Sequence, residues 1–139
     1  MRAERVSCRM LAYTVFWYVR PDGTSIRFAN YAEGDPSLYA VDPSGVSHRF
    51  RATAIGKGTN GAKSALEKLD FGALSCRDAV VEVAKILYSQ HDPAKDKPLE
   101  LELSWVCEAS GRLHKMVPRE LHVEAEAAAK AAREAMDDD

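Results

Sequence analysis

The four residues Asp42-Pro43-Ser44-Gly45 stand between two short runs rich in strand-forming side chains, residues 38–41 and 46–55. A connection that short permits only an antiparallel return, because parallel neighbours need a crossover of about a dozen residues or more. The four also suit a type I turn: Asp accepts from the backbone at the first position, Pro presets φ at the second, and Gly tolerates positive φ at the last. At least one sheet is therefore expected to be antiparallel.

The rest of the chain supports that reading. Ile26 and Phe28 alternate with Ser25 and Arg27 until Gly34-Asp35-Pro36 breaks the run. Leu99, Leu101, Leu103 and Trp105 alternate with Glu100, Glu102 and Ser104, the pattern of a half-buried strand, and Ser110-Gly111 turns it into a partner ending at Val117. Strands are expected over 24–32, 37–41, 46–55, 99–108 and 112–117. Helices are expected over 3–19, 59–69, 75–90 and 118–136. In the first helix Val6, Met10, Tyr13 and Trp17 recur at helical spacing while Leu11, Val15, Phe16 and Tyr18 fill the other faces, so it would need cover on more than one side. A strand through 13–19 is the alternative there. Ser75 caps the third helix with Asp78 standing in for the capping-box Glu, and Val80, Val83, Ala84, Leu87 and Tyr88 form its apolar face until Asp92-Pro93 stops it. Pro118 opens the alanine-rich last helix at the position where its missing N–H costs nothing. The order is helix, strands, two helices, two strands, helix. That is an α+β arrangement rather than the alternation of a parallel sheet.

Of 139 residues, 46% are hydrophobic and 29% charged, which suits one globular domain over 1–136 followed by an acidic tail, 137–139. The formal charge is −2, and +1 without the three terminal aspartates. With no basic surplus, neither nucleic acid nor an acidic membrane is an expected partner. The apolar run from Met10 to Val19 is about half a membrane span, and Arg20-Pro21-Asp22-Gly23 after it has no small-x-small cleavage site. Cys8, Cys76 and Cys107 are odd in number and widely spaced, giving neither a disulfide framework nor zinc-ligand spacing, and a reducing compartment is the default.

Gly56-Lys57-Gly58-Thr59-Asn60-Gly61 matches G-x-G-x-x-G between an expected strand and an expected helix. Its chemistry would be backbone N–H groups at a helix N-terminus holding a pyrophosphate. No second strand follows that helix, so Asp70 and Asp78 have no strand end from which to reach a ribose. Ala62 before Lys63-Ser64 likewise spoils a P-loop. A tight turn of small residues against a neighbouring layer is the favoured reading, with a nucleotide-binding α/β domain as the alternative. His48, His91, His114 and His122 are scattered. His91 beside Asp92 is expected to satisfy helix-terminal carbonyls rather than act as a base. Glu100 and Glu102 are expected on a solvated or interface face. No residue is assigned a catalytic, cofactor-binding or metal-binding role.

Four runs then carry a resemblance: Leu38-Tyr39-Ala40-Val41-Asp42-Pro43-Ser44-Gly45-Val46, Ala54-Ile55-Gly56-Lys57, Leu66-Glu67-Lys68-Leu69 and Ser75-Cys76-Arg77-Asp78. In order and spacing they resemble the C-terminal half of a proteasome alpha subunit. His91-Asp92, Lys95-Asp96-Lys97, Leu99-Glu100-Leu101-Glu102-Leu103-Ser104-Trp105-Val106, Val117-Pro118 and the acidic end are similar to the alpha type 3 branch of that family. Glu4-Arg5-Val6, Ala12-Tyr13-Thr14 and Val19-Arg20-Pro21 resemble that branch's second helix and the loop after it. The resemblance implies part of a four-layer αββα Ntn-hydrolase-like sandwich of antiparallel sheets, with the N-terminal strands and first helix missing. It implies Asp42, Pro43, Ser44 and Gly45 as a structural turn and Gly56, Leu101, Leu103 and Trp105 as packing positions. It also implies a non-catalytic structural subunit of the core particle's alpha ring, acting in ubiquitin-dependent protein degradation in cytoplasm and nucleus. Its partners would be other alpha and beta subunits and, through the assembled ring, regulatory complexes, with no cofactor.

The departures carry expectations too. The gate-forming segment, the tyrosine-rich motif and most of the lysine pockets for regulators belong to the half that these residues do not match. The chain therefore reads as truncated, with unpaired strand edges, poor solubility in isolation, and a functional protein that is longer or completed by a partner chain. The tail is aspartate where the family carries phosphorylated serines. Catalytic beta subunits use a free N-terminal threonine, and a beta-type threonine protease is the third reading. Thr14, Thr24, Thr53 and Thr59 are internal, so none offers a free α-amine as base.

Overall fold

The Asp42-Pro43-Ser44-Gly45 turn forms as its residue types require. Asp42 Oδ1 accepts from the amides of Ser44 (2.8 Å) and Val46 (3.2 Å), and Gly45 N–H donates to Asp42 O at 3.0 Å with φ 89°. The computed structural model that shows this describes residues 7–8, 10–12, 25–32, 34–95 and 97–137, and the chain divides into two units, Met1–Thr53 and Ala54–Asp139.

In the first unit the turn joins the second and third strands of an antiparallel sheet, β1 (Ile26–Ala32), β2 (Asp35–Val41) and β3 (Ser47–Phe50), in the order β1-β2-β3. The register pairs Ile26 with Val41 and Leu38 with Phe50. Residues 7, 8 and 10–12 are helical, and the rest of the helix expected over 3–19, with its strand alternative over 13–19, lies outside the described residues. Ser7 Oγ donates to Gly45 O, and a Cβ on Gly45 would lie 2.7 Å from Leu11 Cα. Position 45 thus needs glycine for its φ and for the helix seated on it. Met10 and Val41 are buried in this unit.

Two expectations for this sheet need correction. The run does break after Ala32, with Gly34 at φ 82°, but the second strand begins at Asp35 rather than 37, pairing Ala32 with Asp35 and Tyr31 with Pro36. The strand expected over 46–55 is only Ser47–Phe50. Extending the register would set residue 52 opposite Pro36, which has no N–H to give the ladder.

In the second unit α1 (Thr59–Leu66), α2 (Cys76–Ser89) and α3 (Arg119–Asp137) accompany a short antiparallel pair, β4 (Ser104–Trp105) and β5 (Lys115–Met116). Helix α2 occupies its expected span. Ser75 Oγ accepts from Asp78 N–H while the Asp78 carboxylate accepts from Ser75 N–H, a complete capping box. The core joins Val80, Ala84 and Tyr88 of α2 to Leu121, Ala125 and Ala129 of α3, with Leu103 and Val117 closing one end. Alanines at these i, i+4 positions let the two helices approach closely, which explains the alanine richness of α3. Helix α1 stops at Leu66 rather than 69, where Lys68 and Leu69 amides turn back onto Ala65 O and Leu66 O. Val83 and Leu87, expected in the core, are 39% and 41% exposed, because only the 80/84/88 stripe meets α3.

The largest correction concerns residues 99–117. Strands expected over 99–108 and 112–117 reduce to the pairs Ser104↔Met116 and Trp105↔Lys115. The alternation is nonetheless real: Leu99, Leu101, Leu103 and Trp105 turn inward against the helical core while Glu100, Glu102 and Ser104 are exposed. Trp105, expected to be buried, is only half-buried.

Candidate functional site

A segment with the pattern of a strand but little ladder must satisfy its carbonyls elsewhere. Two histidines do so. His122, one residue past the core Leu121 on α3, places Nε2 2.8 Å from Leu101 O. His91, just after α2, places Nε2 2.8 Å from Lys97 O. A carbonyl accepts only, so both rings carry the Nε2 proton, and the buried Nδ1 of His91 has no hydrogen-bond partner. Val117 N–H donates to Leu103 O at 3.0 Å. The expectation that His91 satisfies helix-terminal carbonyls holds for its amide, which donates to Tyr88 O at 3.2 Å, and is corrected for its ring, which ties the connector after α2.

The turn between β4 and β5 is held by Ser110, 2% exposed, whose hydroxyl accepts from Cys107 N–H (3.0 Å) and lies within bonding distance of the Cys107 and Leu113 carbonyls. Arg112 sits at φ 62° beside Gly111 at 71°, and its guanidinium pairs with Glu108 across the turn at 3.3 Å. Between the helices, Tyr88 Oη donates to Glu126 Oε1 at 3.1 Å, and Lys130 Nζ reaches the same oxygen at 2.8 Å. The Lys130 bond, followed by that of Tyr88, holds the Glu126 carboxyl below its ordinary range. Burial, then Glu126, pushes the Tyr88 phenol up. These are fastenings between α2 and α3.

The glycine motif is explained by packing. Gly56, Gly58 and Gly61 follow irregular backbone over 51–55 rather than a strand end. Gly56 and Gly58 take φ 100° and 76°. A Cβ on Gly58 would lie 3.1 Å from Gln90 Cβ, and one on Gly61 would fall on the Gln90 carboxamide, 2.9 Å from Cδ. The space that Gly61 leaves is filled by a side chain at the end of α2, and the sheets are antiparallel, so neither element of the dinucleotide arrangement is in place. Thr59 Oγ1 donates to Gly56 O at 2.5 Å, a local bond at the start of α1.

Of the positions singled out from sequence, Leu101, Leu103 and Trp105 come together on the helical core, whereas Gly56 lies in its own loop and Asp42 to Gly45 belong to the other unit. Sequence reasoning missed the histidine ties and the Tyr88–Glu126–Lys130 contact. Burial, followed by the Cys107 sulfur, pushes the Cys76 thiol up. A cleft of about 270 Å³ between the helices is lined by Leu69, Ile86, Met136 and the stems of Lys68 and Lys85. Outward-facing Val83, Leu87, Val123 and Met136 add exposed apolar surface to α2 and α3. Among the described residues no group of three or more His, Cys, Asp or Glu side chains is placed to hold a metal ion, and no helix is long and apolar enough to cross a membrane.

Comparison with known proteins assigns a context to this surface-rich, site-poor arrangement. The family described as Proteasome subunit matches residues 1–106. Proteasome subunit alpha type-3 of Arabidopsis thaliana is 47% identical over 137 residues, 99% of this chain and 55% of the relative. The alpha type-3 subunit of Acanthamoeba castellanii is 48% identical over 97% of this chain, and that of Drosophila melanogaster 39% over 98%, each alignment covering 54% of the relative. The chain thus spans about half the length of the curated relatives it matches.

Proposed function

Because the chain belongs to the proteasome subunit family, we propose that it serves as a non-catalytic, structural component of the core particle's alpha ring. The observation that carries this reading is the identity of 47% over 99% of the chain with relatives named as alpha type-3 subunits. The residues themselves support it: their polar contacts fasten elements to one another, and apolar Val83, Leu87, Val123 and Met136 face outward as subunit contacts require. On this reading the three-stranded and two-stranded antiparallel sheets belong to a four-layer αββα sandwich. The partners are other alpha and beta subunits and, through the ring, regulatory complexes. Peptide hydrolysis resides in subunits with a free N-terminal threonine, and the work is ubiquitin-dependent protein degradation in cytoplasm and nucleus.

Co-expression with the remaining alpha subunits of a relative, followed by native mass spectrometry, tests the assignment. Incorporation of this chain into a ring in place of the alpha type-3 subunit is the expected result. Rings that form only around the relative's own subunit, with this chain always outside them, overturn it.

A further inference from the structure

The glycine-rich run ends in an Asn-Gly junction, Asn60-Gly61, in the first turn of α1. An asparagine carries an electrophile in its side-chain carboxamide carbon, and the nucleophile nearest to it along the chain is the next residue's amide nitrogen. In a folded protein a hydrogen bond from that N–H, a bulky side chain on the following residue, or exclusion of water keeps the two from reacting. At Asn60 none of the three operates. Gly61 stands ahead of the helical ladder, whose first i to i−4 bond is Ala62 N–H to Gly58 O at 3.0 Å, and among the described residues its own N–H donates no hydrogen bond. Residue 61 has no Cβ to crowd the nitrogen, and both residues are exposed. The turn is also lightly fastened, since Gly58 before it takes φ 76° and supplies no side-chain cap. Helix ends of that kind fray, which frees the Asn60 backbone to turn its carboxamide carbon toward the Gly61 nitrogen.

We propose that Asn60-Gly61 is a modification site at which water replaces the Asn60 carboxamide by a carboxylate and so changes the charge and the main chain at the start of α1. The Gly61 nitrogen gives its proton to base and attacks Asn60 Cγ. The bond from Cγ to Nδ2 breaks, ammonia leaves with the returned proton, and a cyclic imide remains. Water then adds to one of the two imide carbonyls and the bond from that carbon to the Gly61 nitrogen breaks. One water is consumed and one ammonia released in all, with nothing oxidised or reduced. Opening at Cγ leaves aspartate, whose charge the N-terminal end of a helix favours and which supplies the acidic residue that the first turn of α1 lacks. Opening at the main-chain carbonyl leaves isoaspartate, which routes the backbone through Cγ and parts the first turn from the rest of the helix.

Peptide mapping tests this on the full chain. The folded protein is incubated in mildly alkaline buffer and cut with trypsin, with an unincubated sample as baseline, and the peptide of residues 58–63 is followed by mass and chromatographic retention. The expected result is loss of the carboxamide form and growth of two products of equal mass, each heavier by the difference between a carboxylic acid and its amide. The chain's other asparagine, Asn30, is followed by Tyr31 within β1, and the peptide of residues 28–49 should keep its mass over the same time. Gly61→Ala should slow conversion of Asn60 severalfold, because the added Cβ crowds the nitrogen; the Gln90 side chain it displaces is flexible at the end that must move. An Asn60 carboxamide that survives in the folded chain through an incubation that converts it in guanidinium overturns the proposal. Conversion of Asn30, or of the Gly61→Ala chain, as fast as that of Asn60 in the unaltered chain overturns it as well.

Discussion

Asp42 does more than occupy the first position of a turn. Its carboxylate accepts from the Ser44 hydroxyl and from the Ser44 and Val46 amides, and the Ser44 side-chain bond is the main cause holding its pKa below the ordinary value of 3.8. A carboxyl depressed in the fold contributes stability that is present above its unfolded value and lost as pH falls through its folded one. The Asp42 carboxyl should therefore titrate below 3.8 by NMR, and the Ser44 and Val46 amides should lose exchange protection as it does. Titration at or above 3.8 would show that these bonds are not made in solution. The turn was legible from sequence because each of its residue types has a separate local reason to be there. The histidine ties were not, since nothing in the neighbourhood of His122 in sequence reveals that Leu101 O lacks a ladder partner.

Elements with local signals at both ends kept their boundaries. Helix α2 has Ser75 and Asp78 at its start and Asp92-Pro93 after its end, and it runs over Cys76–Ser89 as expected. Ser75→Ala removes the hydroxyl of the capping box and should cost about 1 kcal/mol in urea unfolding; no change would mean that the helix start is frayed. Residues 99–108 teach a different lesson. Period-two alternation reports which side chains are covered, but not whether another strand or a pair of helices covers them. Because the cover is helical, cost should follow depth. Leu103→Ala, at 7% exposure, should lose about 2–4 kcal/mol, and Leu101→Ala, half-buried, about 1 kcal/mol. Equal costs in chemical denaturation would contradict the packing described. Val83 and Leu87 were misplaced because an apolar face wider than its contact reads, in sequence, as core throughout.

At the scale of the molecule, the antiparallel arrangement followed from one short connection and from the order of elements, and both sheets agree with it. Function was legible only through runs of residues that resemble a family, because on the proposed reading as a structural subunit the chain would carry no catalytic constellation for sequence to display. What the structure contributes is a set of polar contacts devoted to holding elements together, beside apolar side chains left facing outward. Such surfaces act by being covered. Recovery of the native protein under mild conditions, with mass measurement of the intact species and of everything that co-purifies, tests that claim most directly. The account predicts a particle of proteasome size containing this polypeptide together with alpha and beta subunits. A stable monomer with a cooperative thermal transition and no ring subunits bound would contradict it.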